Sequence, residues 1–396
     1  INTPGSYILV NNVSSSGSCF TINSSNVNLN CQGRRIVYAL SQAGYGITTS
    51  SINNTLLSNV VIKNCNIDQG NTSQLVAYTI GIGLVLAKDS VVENNGIYNL
   101  FFNSPGSVGI LINSSKNNII RYNNITVYGD WWTGNHYGIS IVNSSNSVVH
   151  NNFISDTASE GILIVHTTNN IIISNNSIST IGSYNKGIII YGVNNTLIHN
   201  IITTSGSAYG VMIYGSDNIL MYNHINTLGR YAGGILMYDK STIINNDINS
   251  AEAYNIFLPD PEYYSLNNIP LPDFAGYDVQ SNFGNGKPII FLKNLRNQII
   301  DLSGQDIASL IIVNSTNSII RNAYISKDGL LLYLLNTSII ENSIIDISKP
   351  DVTALLAFAD SSDIKNNFIK TNKTTGISII GQKNFVYLNN ITSISG

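Results

Sequence analysis

The sequence predicts an all-β fold, a right-handed parallel β-helix (solenoid) of about fifteen coils. Three observations lead to this fold. Short apolar segments of strand type recur along the 396 residues, Asn and Gly return at nearly constant intervals between them, and no segment keeps a helical period over ten or more residues. A repeat that contains only strands is typical of a chain in which each repeat forms one coil and like residues stack on like.

The repeated motif has two aliphatic residues, a variable residue and Asn, followed by another apolar residue. Its twelve copies contain Asn64, Asn94, Asn123, Asn151, Asn175, Asn200, Asn223, Asn246, Asn322, Asn342, Asn366 and Asn389. A second column of Gly residues, each before an aliphatic residue, runs in phase with it, as at Gly81, Gly109 and Gly161. Because buried turns leave backbone groups unpaired, we expect the Asn side chains to point inward and hydrogen-bond along the stack.

Two blocks of coils are expected, one over residues 1–250 and one over residues 286–396. The repeats stop after Ile248, and residues 251–285 hold four of the eight prolines, at Pro259, Pro261, Pro270 and Pro272. Proline cannot donate to a central ladder, so this segment is predicted to be a loop or linker. Whether the two blocks form one continuous rod stays open at this stage.

Composition excludes several classes of protein. Charged residues are only 10% of the chain, and 19 basic against 22 acidic side chains give a net charge of −3, which does not suit a nucleic-acid partner. Hydrophobic residues make up 43%, which is too many for a disordered chain. No apolar run approaches the roughly eighteen residues of a membrane span. No cofactor is expected.

The frame of Gly-Ile-x-Ile followed by Asn-x-Ile-Ile-x-Asn-Asn-x-Ile resembles the NosD-like family of parallel β-helix repeats, which is common in secreted and surface proteins of archaea and bacteria. Residues 4–7, 19–22 and 26–33 resemble the start of such archaeal proteins, and residues 285–290 resemble the segment that opens their second repeat block. The resemblance implies the fold and an extracellular or cell-surface location. It leaves function open, because these repeats occur in lyases, epimerases, adhesins and structural proteins.

Three cysteines, Cys19, Cys31 and Cys65, are disulfide candidates. Cys31 with Cys65 fits neighbouring coils, Cys19 with Cys31 is the rival pairing, and a ladder of buried thiols is a third interpretation. Thirteen sequons make N-glycosylation candidates of Asn12, Asn23, Asn53, Asn71, Asn113, Asn124, Asn143, Asn175, Asn194, Asn314, Asn336, Asn372 and Asn390, although a chain with about fifteen per cent Asn produces many by chance.

Two groups of aromatic residues are candidate contact surfaces. Phe101 and Phe102 lie in one insertion, and Trp131 and Trp132 lie in the corresponding insertion of the next coil, where they would stack on sugars, contact a subunit or cover the flank of the coils. Tyr191, Tyr214 and Tyr238 form a column that would be either a flat glycan platform or an aromatic ladder that stabilises the strands.

Catalytic chemistry is not expected, and no residue is assigned a catalytic role. The strongest enzyme candidate is the set Arg121, Asp130, His136, Asp156 and Glu160, in neighbouring coils near the Trp insertion. The variable column before Asn is expected to face solvent, with no carboxylate and Arg at one position in neighbouring coils. His150 and His199 are two coils apart, roughly 10 Å, too far to share a metal ion.

The leading functional hypothesis is an extracellular structural protein, a surface filament or sheath subunit or an adhesin rod. Neither end shows an amphipathic capping helix, so the ends are expected either to continue in a longer chain or to stack on other copies. Head-to-tail stacking of unlike ends gives a homopolymer. The alternative is a secreted β-helix protein that binds or modifies glycans.

Overall fold

The computed structural model describes residues 1–51, 53–70, 78–100, 106–128, 135–157, 160–259, 261, 274–372 and 374–394. At residues 100, 135, 156, 157, 275 and 394 only the backbone is described. The chain divides into two compact units, unit 1 (Ile1–Asn218) and unit 2 (Ile219–Gly396).

Unit 1 contains three parallel sheets, and successive coils add one strand to each sheet in turn. The first sheet holds Gly5–Ile8, Val27–Asn30, Val61–Lys63, Val91–Glu93, Ile119–Arg121, Val148–His150, Ile172–Ser174 and Thr196–Ile198. The second sheet holds Val13–Ser14, Arg35–Tyr38, Asn66–Gln69, Gly96–Leu100, Asn124–Tyr128, Phe153–Thr157, Ser177–Thr180 and Ile201–Thr204. The third sheet holds Phe20–Ile22, Tyr45–Thr49, Thr79–Val85, Gly106–Asn113, Asn135–Val142, Glu160–Val165, Ile188–Ile190 and Val211–Ile213. A short parallel pair joins Leu57–Ser58 to Ala87–Lys88.

Unit 2 is likewise built mainly from parallel strands that pair from coil to coil. Its strands are Asn218–Met221, which lies at the boundary, then His224–Thr227, Ile235–Met237, Ser241–Ile244, Asp247–Ser250, Ile256–Phe257, Asp278–Gln280, Asn282–Gly284, Lys287–Lys293, Ile299–Asp301, Asp306–Thr316, Ile319–Arg321, Tyr324–Asn336, Ile339–Glu341, Ile344–Ile347, Leu355–Asp360, Asp363–Lys365, Phe368–Asn372, Ile377–Ile380, Phe385–Tyr387 and Asn390–Ile394. A 3₁₀ turn lies over Phe274–Gly276. The predicted all-β parallel β-helix of about fifteen coils is confirmed.

Aliphatic side chains stack along the inside of each unit. In the first sheet of unit 1 the middle residue of each three-residue strand is fully buried, as at Ile62, Val92 and Ile120. The strands pair in exact register from coil to coil, for example Val91 with Ile119 and Val92 with Ile120. β-Branched side chains suit this arrangement because their restricted rotamers pack well on a pleated surface.

The Gly column marks a place where neighbouring coils approach too closely for a side chain. A Cβ atom built on Gly109 would lie 2.6 Å from the carbonyl oxygen of Gly138 and 2.4 Å from Ile125 Cγ2. Gly81 and Gly187 meet the next coil at similar distances. The recurring Gly of the sequence is therefore a packing requirement at one corner of each coil.

Within the predicted linker, residues 251–285, the structure places strands at both ends. Ile256–Phe257 pairs with Ile235–Met237, and Asp278–Gln280 pairs with Ser241–Ile244. The stretch without strand pairing is thus shorter than the sequence indicated, because the prolines fall only between Pro259 and Pro272. Residues 262–273 lie outside the described part of the chain.

A hairpin begins the second predicted block. Lys287–Lys293 runs antiparallel to Asn282–Gly284, and the strand Asp306–Thr316 then pairs in parallel with Lys287–Lys293. The two turn residues are Asn285 (φ 49°) and Gly286 (φ 78°). Asn-Gly with two left-handed residues is the sequence preferred in a tight two-residue hairpin.

Candidate functional site

The inward corner after the first sheet of unit 1 is a continuous ladder of buried amides. Asn95, Asn123, Asn152, Asn176 and Asn200 are at most 2% exposed. The Nδ2 of Asn152 donates to Asn176 Oδ1 (3.0 Å) and to the carbonyl of Ile120 (2.9 Å). Its Oδ1 accepts the backbone N–H of Asn123 at 3.0 Å. Each amide therefore pairs backbone groups that the turn would otherwise leave buried and unsatisfied.

The predicted Asn column mixes two adjacent positions of this corner. Five of its members occupy the inward position: Asn123, Asn200, Asn223, Asn246 and Asn389. For the other seven the prediction of an inward side chain is wrong by one residue: Asn64, Asn94, Asn151, Asn175, Asn322, Asn342 and Asn366 have φ between 52° and 58° and are partly or fully exposed. Asn is favoured there because it tolerates the left-handed backbone, and the next residue is the inward one.

The cysteines extend the same corner. Cys31 and Cys65 form a disulfide with a Cα–Cα distance of 4.8 Å, one of the pairings that the sequence left open. The backbone N–H of Cys65 donates to Asn95 Oδ1 (2.9 Å), so Cys65 occupies the inward position one coil before Asn95. Cys19 is a free thiol whose pKa is raised to about 11 by burial, which disfavours the reactive thiolate.

Charged side chains on the outer face pair from coil to coil. Glu93 and Arg121 occupy the same position in neighbouring strands, and Arg121 Nη2 donates to Glu93 Oε2 at 2.6 Å. The expectation that no carboxylate and Arg would share a position is therefore wrong. The reason is an offset in the motif: in this coil Tyr122 takes the left-handed position that Asn takes elsewhere, so Arg121 is the residue in register with Glu93.

Many described carboxylates are held by such pairs. The ion pairs are Arg35–Asp68, Arg121–Glu93, Lys186–Glu160, Lys287–Asp306, Arg321–Asp301, Lys349–Asp328, Lys365–Glu341 and Lys370–Asp346, and His224 Nδ1 lies 2.8 Å from Asp247 Oδ2. Hydrogen bonds from Ser303, Asn322 and Arg321 hold the pKa of the Asp301 carboxyl well below its usual range. Apart from the buried Lys349–Asp328 pair, the side chains of these pairs are at least 12% exposed.

The candidate enzyme residues do not meet in the described structure. Arg121 ends a strand of the first sheet, whereas Glu160 begins a strand of the third sheet and pairs with Lys186 at 3.5 Å. His136 is fully buried, and its Nδ1 accepts the backbone N–H of Ser107 at 3.2 Å. Asp130 and the side chain of Asp156 lie outside the described residues.

One predicted aromatic pair forms a stack on the surface of unit 1. The rings of Tyr191 and Tyr214 are 4.5 Å apart and nearly parallel, at 5°. Tyr191 remains 46% exposed. Tyr238 lies in unit 2, half-buried. Phe101, Phe102, Trp131 and Trp132 fall outside the described residues, so their predicted role stays a prediction.

A buried ion pair in unit 2 was missed by sequence reasoning. Lys349 and Asp328 form it with side chains 6% and 1% exposed. Lys349 Nζ also donates to Ser250 Oγ (2.7 Å) and to the carbonyl of Ala253 (3.0 Å), and Asp328 Oδ2 accepts the N–H of Asn255. Burial lowers the pKa of Lys349. The pair joins three distant segments of the chain, and no local pattern in the sequence reports it.

Close to this pair in the sequence, unit 2 has a polar cleft of about 520 Å³. Its lining residues are Tyr231, Pro350, Asp351, Thr353, Thr374 and Thr375. Tyr231 is 53% exposed, and the Arg230 guanidinium lies 4.8 Å from the centroid of its ring. We call this feature the Tyr231 cleft. Sequence reasoning missed it because Tyr231 and Asp351 are 120 residues apart.

Among the described residues, no group of three or more His, Cys, Asp or Glu side chains is arranged to hold a metal ion. In the same part of the chain, no helix has the length and apolar character to cross a membrane.

Comparison with known proteins gives the family and the fold. The sequence matches the family described as right handed beta helix region over residues 1–178 and 132–268. A search of the curated proteins finds no match. Among solved structures, a tailspike protein mutant of E. coli bacteriophage HK620 has a TM-score of 0.51 at 11% identity, over 96% of this chain and 71% of that chain. Another mutant of that tailspike, in complex with pentasaccharide, has a TM-score of 0.52 at 10% identity, over 96% and 72%.

The A-module of the Azotobacter vinelandii mannuronan C-5 epimerase AlgE6 covers 99% of this chain and 90% of its own, at 10% identity and a TM-score of 0.31. The tailspikes are similar to this chain in fold alone. The structural similarity to the epimerase is too low to support a conclusion about this chain. The family match spans more than half of the chain, so the chain belongs to the right-handed β-helix family.

Proposed function

We propose that the protein is an extracellular structural protein of a cell surface, a β-helix whose side chains serve mainly to hold the coils together. The observation that carries this proposal is the buried Asn ladder, in which Asn95 to Asn200 link five successive coils. The ion pairs between coils add to it on the outer face, where they engage carboxylates that a hydrolase or epimerase would need free.

Two features support an extracellular location. The Cys31–Cys65 disulfide is of a kind that persists in oxidising compartments. Every sequon Asn in the described part of the chain is at least partly exposed, and Asn71 lies outside that part. N-glycans would extend from these positions into solvent without disturbing the core.

Self-assembly is part of the proposal, since head-to-tail contact between unlike surfaces of one subunit extends into a filament.

Mapping of modifications on material taken from the native source tests the proposal. We expect peptides with glycans on several sequons, an intact Cys31–Cys65 bond, and loss of the protein when whole cells are shaved with protease. Unmodified sequons together with full protection in intact cells would contradict an extracellular role.

Glycan binding is the second candidate function. The exposed Tyr191–Tyr214 stack favours it, since flat aromatic surfaces bind the apolar faces of sugars. The tailspike with the same fold, crystallised with a pentasaccharide, gives a precedent for such a ligand. Retention of the purified protein on a glycan array tests this function, and absence of retention would count against it.

A further inference from the structure

We propose that the Tyr231 cleft of unit 2 is a binding site for a neutral oligosaccharide. This inference rests on the second candidate function, glycan binding, and adds to the Tyr191–Tyr214 stack a second site with a ligand class of its own. The cleft volume of about 520 Å³ lies within the range of roughly 300–1,000 Å³ found for small-molecule sites.

Tyr231 supplies an aromatic surface in the cleft. Its backbone is in the left-handed region (φ 59°), and the residue is 53% exposed. The Arg230 guanidinium, 4.8 Å from the ring centroid, restrains the ring by a cation–π contact. A sugar ring stacks on such a surface through its C–H face, which buries apolar area at little cost in side-chain order.

The rest of the lining matches the hydroxyl groups of a sugar. Asp351 Oδ2 accepts the backbone N–H of Tyr231 at 3.3 Å, and a carboxylate has further lone pairs that accept hydrogen bonds from sugar hydroxyls. The Thr374 hydroxyl donates to the carbonyl of Val352 (2.8 Å) and retains lone pairs as an acceptor. Thr353 and Thr375 complete the polar lining.

The wall that carries Asp351 is fixed before any ligand arrives. The backbone N–H of Asp351 donates to the carbonyl of Glu252 (3.2 Å), and the Tyr254 hydroxyl donates to the carbonyl of Thr353 (3.1 Å). Two residues earlier, the buried Lys349 is bound to Asp328 and to the carbonyl of Ala253. Because these bonds already order the wall, little conformational entropy is lost on binding.

Charge selects the ligand class. Asp351 is the acidic residue among those that line the cleft, and the Arg230 guanidinium beside Tyr231 carries the opposite charge. The two charges offset each other, so a neutral oligosaccharide leaves no charge to be balanced on binding, and we assign the site to neutral sugars.

The test uses the full chain on an array of neutral hexose oligosaccharides and uronate oligosaccharides, followed by titration calorimetry with the neutral oligosaccharide that binds best. Tyr231→Ala should weaken its binding by about tenfold, the effect of an interaction worth about 1.4 kcal/mol. Asp351→Asn, which keeps the shape of the side chain, should also weaken binding. Thermal denaturation checks that each variant is folded.

Tyr184→Ala is the matched control. Tyr184 is 63% exposed and has a left-handed backbone (φ 77°), but it is not part of the Tyr231 cleft. Its replacement should leave the affinity within about twofold. Glycan binding that survives both Tyr231→Ala and Asp351→Asn overturns the site and leaves glycan binding in place. No binding to any oligosaccharide overturns both, and a preference for uronates overturns the ligand class.

Discussion

The same inward corner is built from different side chains in the two units. In unit 1, from Asn95 to Asn200, amides follow one another without interruption. In the later coils of unit 2 the corner holds Ala323 and Ser343 before Asn367 and Asn389. The backbone N–H of Ala323 donates to Ser343 Oγ (3.2 Å), where the N–H of Asn123 donates to Asn152 Oδ1 (3.0 Å).

The difference separates two roles of the corner residue. Both Ser343 and Asn152 provide an acceptor for the N–H of the preceding coil, so an acceptor is what the turn requires. Only the amide also donates across coils, from Asn152 Nδ2 to Asn176 Oδ1 and to the carbonyl of Ile120. The hydroxyl of Ser343 donates within its own coil, to the carbonyl of Glu341. The amide corner should therefore be the more stable one.

The Cys31–Cys65 disulfide, which extends this corner, gives the largest expected effect on stability. Replacing Cys31 and Cys65 together by Ala removes a cross-link between residues 34 apart, which should lower the free energy of unfolding by roughly 4 kcal/mol. Urea unfolding of the variant measures this loss. Cys19→Ala, which removes a free thiol, is the control and should cost much less. Equal losses in the two variants would contradict a special role for the corner.

Removal of one amide is next in size. Asn152→Ala leaves the N–H of Asn123 and the carbonyl of Ile120 without their partner, and should cost about 3 kcal/mol in the free energy of unfolding. Asn151→Gly at the neighbouring left-handed position (φ 54°) should change stability by less than about 0.5 kcal/mol, because Gly adopts this backbone readily. A larger loss for Asn151→Gly would show that the inward position has been assigned to the wrong residue.

Conversion of the weaker corner to the stronger one should stabilise unit 2. Ser343→Asn restores an amide between Ala323 and Asn367, with an acceptor for the Ala323 N–H and a donor toward Asn367 Oδ1. The expected gain is about 1 kcal/mol, the net value of one buried hydrogen bond, read from denaturant unfolding. A loss of stability would mean that space, rather than hydrogen bonding, selects Ser at this corner.

The carboxylates on the outer face should make a smaller contribution to the free energy of unfolding, and acid should remove it. The pKa of Asp301 is lowered by its bonds to Ser303, Asn322 and Arg321, so its contribution is present above the ordinary Asp pKa of about 3.9 and is lost as the pH falls through the lowered value. Asp301→Asn should therefore flatten the fall of the melting temperature below about pH 4. If the curves of melting temperature against pH run parallel for the wild-type protein and Asp301→Asn, the ionisation of Asp301 does not affect the stability of the fold.

The fold was predictable from the sequence because one residue pattern repeats with every coil. The candidate site was harder to predict from the sequence, for two physical reasons. Asn suits both the left-handed position and the inward one, so Asn151 and Asn152 cannot be told apart by residue type. The Lys349–Asp328 pair and the Tyr231 cleft join segments far apart in sequence, and nothing local to Tyr231 points to Asp351.

Electron microscopy of the natively isolated material, with intact mass on the same sample, tests the central claim most directly. An extracellular structural protein predicts filaments built by head-to-tail repetition of one subunit and a subunit mass that falls when N-glycans are removed by an enzyme. Single particles with no repeat along an axis, and a mass that deglycosylation leaves unchanged, would contradict it.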